Sequence, residues 1–210
     1  MRYERIDNSL FTSNRKNYIK KVDSGSASVF ISNDELPTNA DELLPFVQNT
    51  NLLYLTGIDQ EDTFLILAPQ FPDKKMREIL FIKETSEEIA IWEGNKLTKE
   101  EASKISGIET VLWNDQFENI LPLILAQTKD IYLEKNEHIR SKTKVETAQD
   151  RFIKKIKTEF SSHNIKRSYP ILSELRMVKN DIEVTQIQKA CDITEMGFRR
   201  VLDFIEPGVW

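Results

Sequence analysis

The sequence predicts an α/β fold in which helices flank a mixed β-sheet. Short runs of branched and aromatic residues alternate with amphipathic segments, a pattern that builds a sheet covered by helices. In the middle of the chain several of these runs follow one another with connections too short for a helix, whereas later runs alternate with helical segments. The first arrangement indicates antiparallel pairing and the second indicates parallel crossovers, so the sheet is expected to be mixed.

Seven segments have the length and composition of β-strands. From Leu52 to Trp92 four of them are joined by turn-forming connections such as Gly57–Asp62 and Pro69–Lys75, which predicts an antiparallel meander. The seven predicted strands are Ala27–Ile31, Leu52–Thr56, Thr63–Ala68, Glu78–Ile82, Glu88–Trp92, Thr110–Leu112 and Ile131–Leu133.

One helix is marked at both of its ends. Thr98 followed by Glu101 fits a capping box, in which the hydroxyl and the carboxylate satisfy backbone amides of the first turn. Gly107 suits the left-handed conformation that ends many helices. The sequence therefore predicts a helix over Lys99–Ser106.

Two further helices follow in the second half of the chain. Asn114 and Asp115 are both candidate caps for the first, and Pro122 lies early in it, where the ring is tolerated only with some distortion. Apolar residues at helical spacing predict the second, and the segment Ser161–Tyr169 after it is predicted to be a loop. The apolar residues of this second helix are Val145, Ala148, Phe152, Ile156 and Phe160.

A long helix with a continuous apolar stripe is predicted near the end of the chain. Its stripe places Cys191 among apolar residues, so this thiol is interpreted as part of a core and not as a nucleophile. Pro207 and Gly208 end the helix, and the stripe predicts that another surface covers it. The stripe consists of Ile187, Cys191, Thr194, Phe198, Val201 and Ile205.

Composition and charge exclude several classes of function. Of the residues, 40% are hydrophobic and 30% charged, which suits a globular protein with a full core. The formal net charge of -5 argues against binding to nucleic acid or to an anionic membrane. A single cysteine, no signal-peptide pattern and no run of about 20 apolar residues favour a cytoplasmic protein.

The residues that catalysis requires are scarce. A two-metal hydrolytic centre needs several carboxylates, usually with histidine, converging on the cations. The two histidines, His138 and His163, lie in polar stretches without a paired ligand and are interpreted as surface residues. The sequence also lacks a serine elbow and a glycine-rich phosphate loop. We therefore predict neither a catalytic nor a metal-binding residue in this chain.

Two stretches resemble the creatinase/aminopeptidase P family. The first, Pro45–Gly57, is similar to the signature aromatic-R-Q-(D/N)-x-(D/N)-x-x-Y-(L/F)-T-G of the amino-terminal domain, although Val47 stands where the family commonly has arginine. The second, Leu175–Glu183, is similar to the motif L-R-x-x-K-(S/N)-x-x-E that opens the catalytic "pita-bread" domain. The matching residues are Asn49, Asn51, Tyr54, Thr56, Gly57, Arg176, Lys179 and Glu183.

A third segment, Ile91–Leu97, resembles the W-x-G-R-R-L segment of aminopeptidase P, with Asn95 and Lys96 in place of the arginine pair. The resemblance implies that Trp92 reaches across an oligomer interface to the rim of a neighbouring active site. It also implies that Asp41, counted back from Gly57, joins the hydrogen-bond network at the substrate mouth. The alternatives are a sheet aromatic for Trp92 and a helix or turn cap for Asp41.

The resemblance implies a ribonuclease H-like sheet over residues 1–170, followed over residues 171–210 by a linker and the first helix of a catalytic domain. It implies a parent enzyme, a dimer or tetramer, that releases an amino-terminal residue preceding proline. Two divalent metals, with manganese expected, would be held by the catalytic domain and none by this chain. The alternative is a stand-alone interaction or oligomerisation module; nucleic-acid chemistry is disfavoured by the net charge.

Overall fold

A computed structural model describes residues 5–141 and 144–208 of the chain. The chain divides into two compact units, Met1–Leu175 and Arg176–Trp210. The first unit contains a β-sheet with its helices, and the second consists mainly of one long helix.

The sheet of the first unit is mixed, as the sequence predicts. Its order is β4-β3-β2-β1-β5-β6, in which β2 runs antiparallel to both of its neighbours and the remaining pairs are parallel. The strands of the described part of the chain are β1 (Ser26–Ile31), β2 (Phe64–Leu67), β3 (Glu78–Ile82), β4 (Thr110–Trp113), β5 (Asp130–Leu133) and β6 (Asn164–Arg167).

Helices cover both faces of this sheet. Helices α5 and α6 pack on one face, and α1, α2, α4 and α7 pack on the other. The described α-helices are α1 (Ser9–Ile19), α2 (Thr50–Thr56), α3 (Glu87–Glu93), α4 (Lys99–Ser106), α5 (Phe117–Leu125), α6 (Ala148–Glu159), α7 (Tyr169–Met177) and α8 (Asp181–Phe204).

The alternation of side chains along the strands separates two hydrophobic cores. In β1, Val29 and Ile31 belong to the core beneath α5 and α6, whereas Phe30 points to the opposite core. All six residues of β1 are buried, because this strand lies in the interior of the sheet with helices on both faces.

Arg15 of α1 crosses the second core as a buried cation. Its Nε donates to Glu78 Oε2 at 2.8 Å, and its Nη1 donates to the carbonyl oxygens of Leu55 at 2.8 Å and Ser106 at 2.9 Å. The side chain thus joins the last turns of α2 and α4 to β3. These ionised and carbonyl acceptors replace the water of Nε and Nη1, whereas Nη2 is buried without a hydrogen-bond partner among the described residues.

Two of the predicted strands are helices. Leu52–Thr56 belongs to α2 and Glu88–Trp92 belongs to α3, so the predicted four-strand meander contains only β2 and β3. Each segment is a short apolar run, for which periodicity alone does not separate a strand from a helix.

The sequence also missed regular elements at the two ends of the first unit. Strand β6 lies in the segment predicted as a loop, and α1 was not predicted. Strand β6 pairs with a single neighbour at the edge of the sheet, and its residues are exposed or half-buried. A strand with so little buried surface carries no apolar pattern for sequence analysis to detect.

Of the two predictions based on capping, the one for α4 was confirmed and the one for α5 was wrong. Helix α4 covers Lys99–Ser106 with the Thr98–Glu101 capping box in place, and Gly107 follows in the left-handed conformation. Helix α5 starts at Phe117 after a short 3₁₀ turn, so neither Asn114 nor Asp115 caps it, and Pro122 lies inside the helix.

Helix α8 of the second unit has no buried residue. Cys191, predicted to lie in a core, is exposed. That prediction was wrong because an apolar stripe shows only that a helix can be covered, and the described residues of the second unit supply no second layer to cover it.

Candidate functional site

The candidate site is the edge of the sheet at which β1, β3, β4, β5 and β6 all end, here called the carboxyl edge. These strands share one direction because β2 is antiparallel to both β1 and β3. The connections 32–49 and 83–98 and the segment 134–141 leave the sheet here. In open α/β sheets, ligands commonly bind outside the carboxyl ends of the strands.

The family-like segment near residue 50 builds a helix at this edge. Asn49 is the N-cap of α2, and its side-chain oxygen accepts from the backbone N–H of Asn51 at 2.9 Å and of Leu52 at 3.2 Å. The half-buried Tyr54 packs against the neighbouring hydrophobic core. The motif residues thus determine where the helix begins and which face it buries.

Glu134 joins this motif to the end of β5. Asn49 Nδ2 donates to Glu134 Oε2 at 2.7 Å, and Asn51 Nδ2 donates to Glu134 Oε1 at 2.8 Å. All three side chains are buried, with Glu134 only 6% exposed. Sequence analysis did not select Glu134; its one signal was an acidic residue directly after a buried strand.

The rest of the motif closes the turn after α2. Gln48 Nε2 donates to the carbonyl oxygens of Ile58 at 3.2 Å and Gln60 at 2.7 Å. Thr56 Oγ1 donates to the Leu52 carbonyl at 2.8 Å and accepts from the Ile58 N–H at 3.1 Å.

Gly57 ends α2 with a φ of 71°, in the left-handed region. A Cβ atom added at Gly57 would lie 2.3 Å from Phe11 Cε2, so α1 packs directly on this glycine. Both features require a residue without a side chain.

A group of charges comes from the connections after β1 and β3 and from the segment that leads into β2. Lys96 forms a largely buried ion pair with Glu61. Glu35 lies near this pair: burial raises its pKa above the usual range, and the Glu61 carboxylate raises it further. The group holds charged side chains close together at the carboxyl edge.

Helix α3 is held to the end of β3 by an ion pair. Lys83 Nζ lies 2.7 Å from Glu93 Oε2, and this hydrogen bond raises the pKa of Lys83 and lowers that of Glu93. The ammonium and the carboxylate therefore remain charged over the neutral pH range.

Trp92 and Asp41 are both exposed at this edge. Trp92 lies in α3 with 89% of its surface exposed, so the alternative of a sheet aromatic is wrong. Asp41 lies in an exposed loop closed by the Pro37–Leu43 bridge, and no described helix begins at it. Val47 stands where the family commonly has arginine and is 69% exposed, so this chain lacks a positive charge at that point of its surface.

The residues of the second motif lie in the second unit. Asn180 caps α8 in a capping box with Glu183, whose carboxylate accepts from the Asn180 N–H at 3.0 Å. Lys179 Nζ donates to the Arg176 carbonyl oxygen. The motif therefore fixes where α8 begins.

The described residues do not assemble a metal centre. Within residues 5–141 and 144–208 no group of three His, Cys, Asp or Glu side chains has a metal-binding arrangement. His138 is exposed, and the half-buried His163 lies 2.9 Å from the Leu125 carbonyl oxygen through Nε2. In these ranges every helix is too short or too polar to cross a lipid bilayer.

A family model described as "Aminopeptidase P, N-terminal domain" matches residues 11–132, more than half of the chain. The chain belongs to this family. The match contains the sheet from β1 to β4, most of β5, and the motif around α2.

The relatives of this aminopeptidase P N-terminal domain are longer proteins. It is 22% identical to the Xaa-Pro aminopeptidase of Escherichia coli K12, covering 98% of this chain and 46% of that protein. It is 25% identical to the Haemophilus influenzae Xaa-Pro aminopeptidase, covering 94% of this chain and 43% of that protein. The chain thus spans less than half the length of these relatives.

Solved structures share the fold. A chain described as an aminopeptidase P from Bacillus anthracis superimposes with a TM-score of 0.84 at 28% identity, covering 94% of this chain and 46% of that one. Zinc-substituted Escherichia coli aminopeptidase P in complex with product gives a TM-score of 0.79 at 20% identity, covering 99% and 47%. The solved structures therefore confirm the α/β fold, and they are aminopeptidase P structures, in agreement with the family match.

Proposed function

We propose that this chain is the non-catalytic N-terminal domain of a metal-dependent Xaa-Pro aminopeptidase, in which it shapes the substrate cleft and mediates oligomerisation. The observation that carries the proposal is Trp92, a large aromatic side chain left 89% exposed on a helix anchored at the carboxyl edge. The neighbouring Ile91 is 76% exposed as well, and an exposed apolar pair of this kind suits a contact with a partner surface or a ligand.

In the parent enzyme, this domain would shape the cleft while the remainder of the protein carries out the hydrolysis. Because the described residues do not fit a metal centre, the proposal assigns two divalent cations, with manganese as the expected ion, to that remainder. The parent releases an amino-terminal residue that precedes proline, assembles as a dimer or tetramer, and works in the cytoplasm.

The carboxyl edge suits the recognition of a peptide amino terminus. Asp41 and Glu42 are exposed in the loop after β1, and Glu87 and Glu88 are exposed in the first turn of the helix that carries Trp92. Glu88 lies one helical turn before Trp92, and a carboxylate near an aromatic face attracts a cation such as a free α-amino group. The role proposed for Asp41 and Trp92 is to form a rim that admits short peptides and excludes peptides that are too long or do not fit the cleft.

We expect residues 1–210 alone to leave an Xaa-Pro peptide uncleaved when manganese is supplied, because the proposed metal ligands lie elsewhere. The same residues, joined to the catalytic domain of the parent protein, are expected to release the first residue. The measurement is release of the amino-terminal amino acid from a peptide with proline at its second position. Turnover by the shorter protein would contradict the proposed division.

Trp92→Ala in the active parent is expected to lower kcat/KM by about tenfold, equivalent to about 1.4 kcal/mol of transition-state stabilisation. The melting temperature should stay within about 1 °C, because a side chain this exposed contributes little to stability. Leu123→Ala, at an exposed position of α5 on the face of the sheet that α6 also covers, is the matched control and should leave both quantities unchanged. An unchanged kcat/KM for Trp92→Ala would remove Trp92 from the rim.

A stand-alone interaction module is the second candidate, and the exposed apolar residues of α8 favour it. In the apolar stripe of α8, Ile187, Phe198 and Val201 are each at least 48% exposed, and an exposed stripe of this kind suits a protein partner. This candidate gains support if the parent protein forms stable oligomers or complexes through α8 and cleaves no Xaa-Pro peptide. Peptidase activity of the parent would exclude it.

A further inference from the structure

Helix α3, which carries Trp92, is too short to be stable by itself. It has seven residues, Glu87–Glu93, whereas isolated helices of fewer than about 12 residues are marginal in water. All of its residues are described and none is fully buried, although Ile89 and Ala90 are half-buried. Burial of apolar side chains therefore contributes little to the stability of α3, and polar contacts with the rest of the first unit have to hold it in place.

The ion pair between Lys83 and Glu93 closes the segment that contains α3. Lys83 is the first residue after β3, Glu93 is the last residue of α3, and Lys83 Nζ lies 2.7 Å from Glu93 Oε2. The two side chains are 28% and 44% exposed, so the pair is partly shielded from water. Because Glu93 directly follows Trp92 in the chain, the pair holds the backbone next to the indole.

A second anchor follows α3. Lys96 forms a largely buried ion pair with Glu61, and the Leu97 N–H donates to Gln60 Oε1 at 2.8 Å. These contacts fix the point at which the segment rejoins the unit. The last turn of α3 itself is fixed by the Lys83–Glu93 pair.

Lys83 also interacts with the connection that carries Asp41. Burial raises the pKa of Glu35 in that connection, the Glu61 carboxylate raises it further, and the Lys83 ammonium lowers it. The ammonium therefore lies close enough to act on both segments of the proposed rim.

We propose that Lys83 is a positioning residue: through its ion pair with Glu93 it orients α3 so that Trp92 meets the substrate at the rim. The inference rests on the role proposed for Trp92 and assigns Lys83 no contact with the substrate. Lys83 then affects the reaction only through Trp92, which a double variant can test.

Lys83→Met removes the ammonium and keeps a side chain of similar shape. In residues 1–210, the backbone amides of Ala90 and Gly94, which donate to carbonyl oxygens one turn earlier, should exchange their hydrogens about threefold faster in this variant. Lys155→Met is the matched control, because it breaks the Lys155–Glu118 pair on the other face of the sheet at a lysine of similar exposure, 34%. The control should leave both exchange rates unchanged. Equal rates in the wild type and in Lys83→Met would overturn the proposal.

In the active parent, Lys83→Met should raise KM about threefold with kcat unchanged, because an interaction made equally with substrate and transition state changes KM alone. The double variant with Trp92→Ala should match Trp92→Ala alone, since Lys83 acts through the indole. Lys83→Glu combined with Glu93→Lys restores the pair and should return KM to within about twofold of the wild type. If Lys83→Met does not fold, Glu93→Gln breaks the same pair from its more exposed side.

Two kinetic results would overturn the positioning role. One is a further threefold loss when Lys83→Met is added to Trp92→Ala, and the other is an unchanged KM for Lys83→Met in a parent that Trp92→Ala impairs. If Trp92→Ala changes nothing, the proposed rim is wrong, and the exchange rates of Ala90 and Gly94 still decide whether Lys83 anchors α3.

Discussion

Glu134→Ala is expected to lower the free energy of unfolding by about 2–4 kcal/mol, because it leaves two buried amide donors without their acceptor. Asn49 Nδ2 and Asn51 Nδ2 both donate to this carboxylate, and neither side chain is more than 8% exposed. Urea denaturation followed by circular dichroism measures the loss.

The control for Glu134 is another glutamate with a different environment. Glu118→Ala removes an exposed ion pair with Lys155 and should cost no more than about 0.5 kcal/mol. Glu134→Gln keeps the shape but places an NH₂ group where one amide donor needs an acceptor, so its cost should be intermediate. Equal stability of the Glu134→Ala and Glu118→Ala variants would show that the Asn49–Asn51–Glu134 network does not hold α2 to the sheet.

Gly57→Ala is expected to destabilise the fold by about 2–3 kcal/mol for two reasons. Alanine is strained in the left-handed backbone conformation, and its Cβ would displace the Phe11 ring. The φ of 71° is unfavourable for alanine, and the new Cβ would meet the Phe11 ring. Thermal or urea unfolding measures this change.

Gly25→Ala separates the cost of the backbone conformation from the cost of the steric clash with Phe11. Gly25 has a φ of 72°, but a Cβ there would meet no atom within 4 Å, so its replacement should cost only about 1 kcal/mol. In a double-mutant cycle, Phe11→Leu should recover part of the loss at Gly57, with a coupling of about 1 kcal/mol. A Gly57 variant no less stable than the Gly25 variant would mean that α1 does not depend on this close approach.

Local signals predicted some elements well and misled elsewhere. The Thr98–Glu101 capping box and Gly107 gave both ends of α4, because a cap acts within a single turn. The same kinds of residue, Asn49 and Gly57, stand at the two ends of α2, but the apolar run between them was interpreted as a strand. The caps were the better evidence, since they specify a helix terminus whereas a short apolar run specifies only burial.

Contacts between residues far apart in the sequence could not be predicted from local sequence patterns. Strand β6 is recognisable only from its pairing with β5, because three of its four residues are polar and none of the four is fully buried. The partner of Asn49 and Asn51 is Glu134, more than 80 residues away, and nothing in the local sequence of either segment identifies the other. Such contacts depend on strand order.

The sequence by itself determined the α/β class, the two ends of α4, and the resemblance to aminopeptidase P that the family model confirmed, because these depend on the spacing of residue types along the chain. Only the tertiary structure decided that the family motif forms a capped helix on a buried carboxylate and that Trp92 is exposed on α3. Those features arise where distant segments meet at a sheet edge or between helices, and the folded backbone sets their distances.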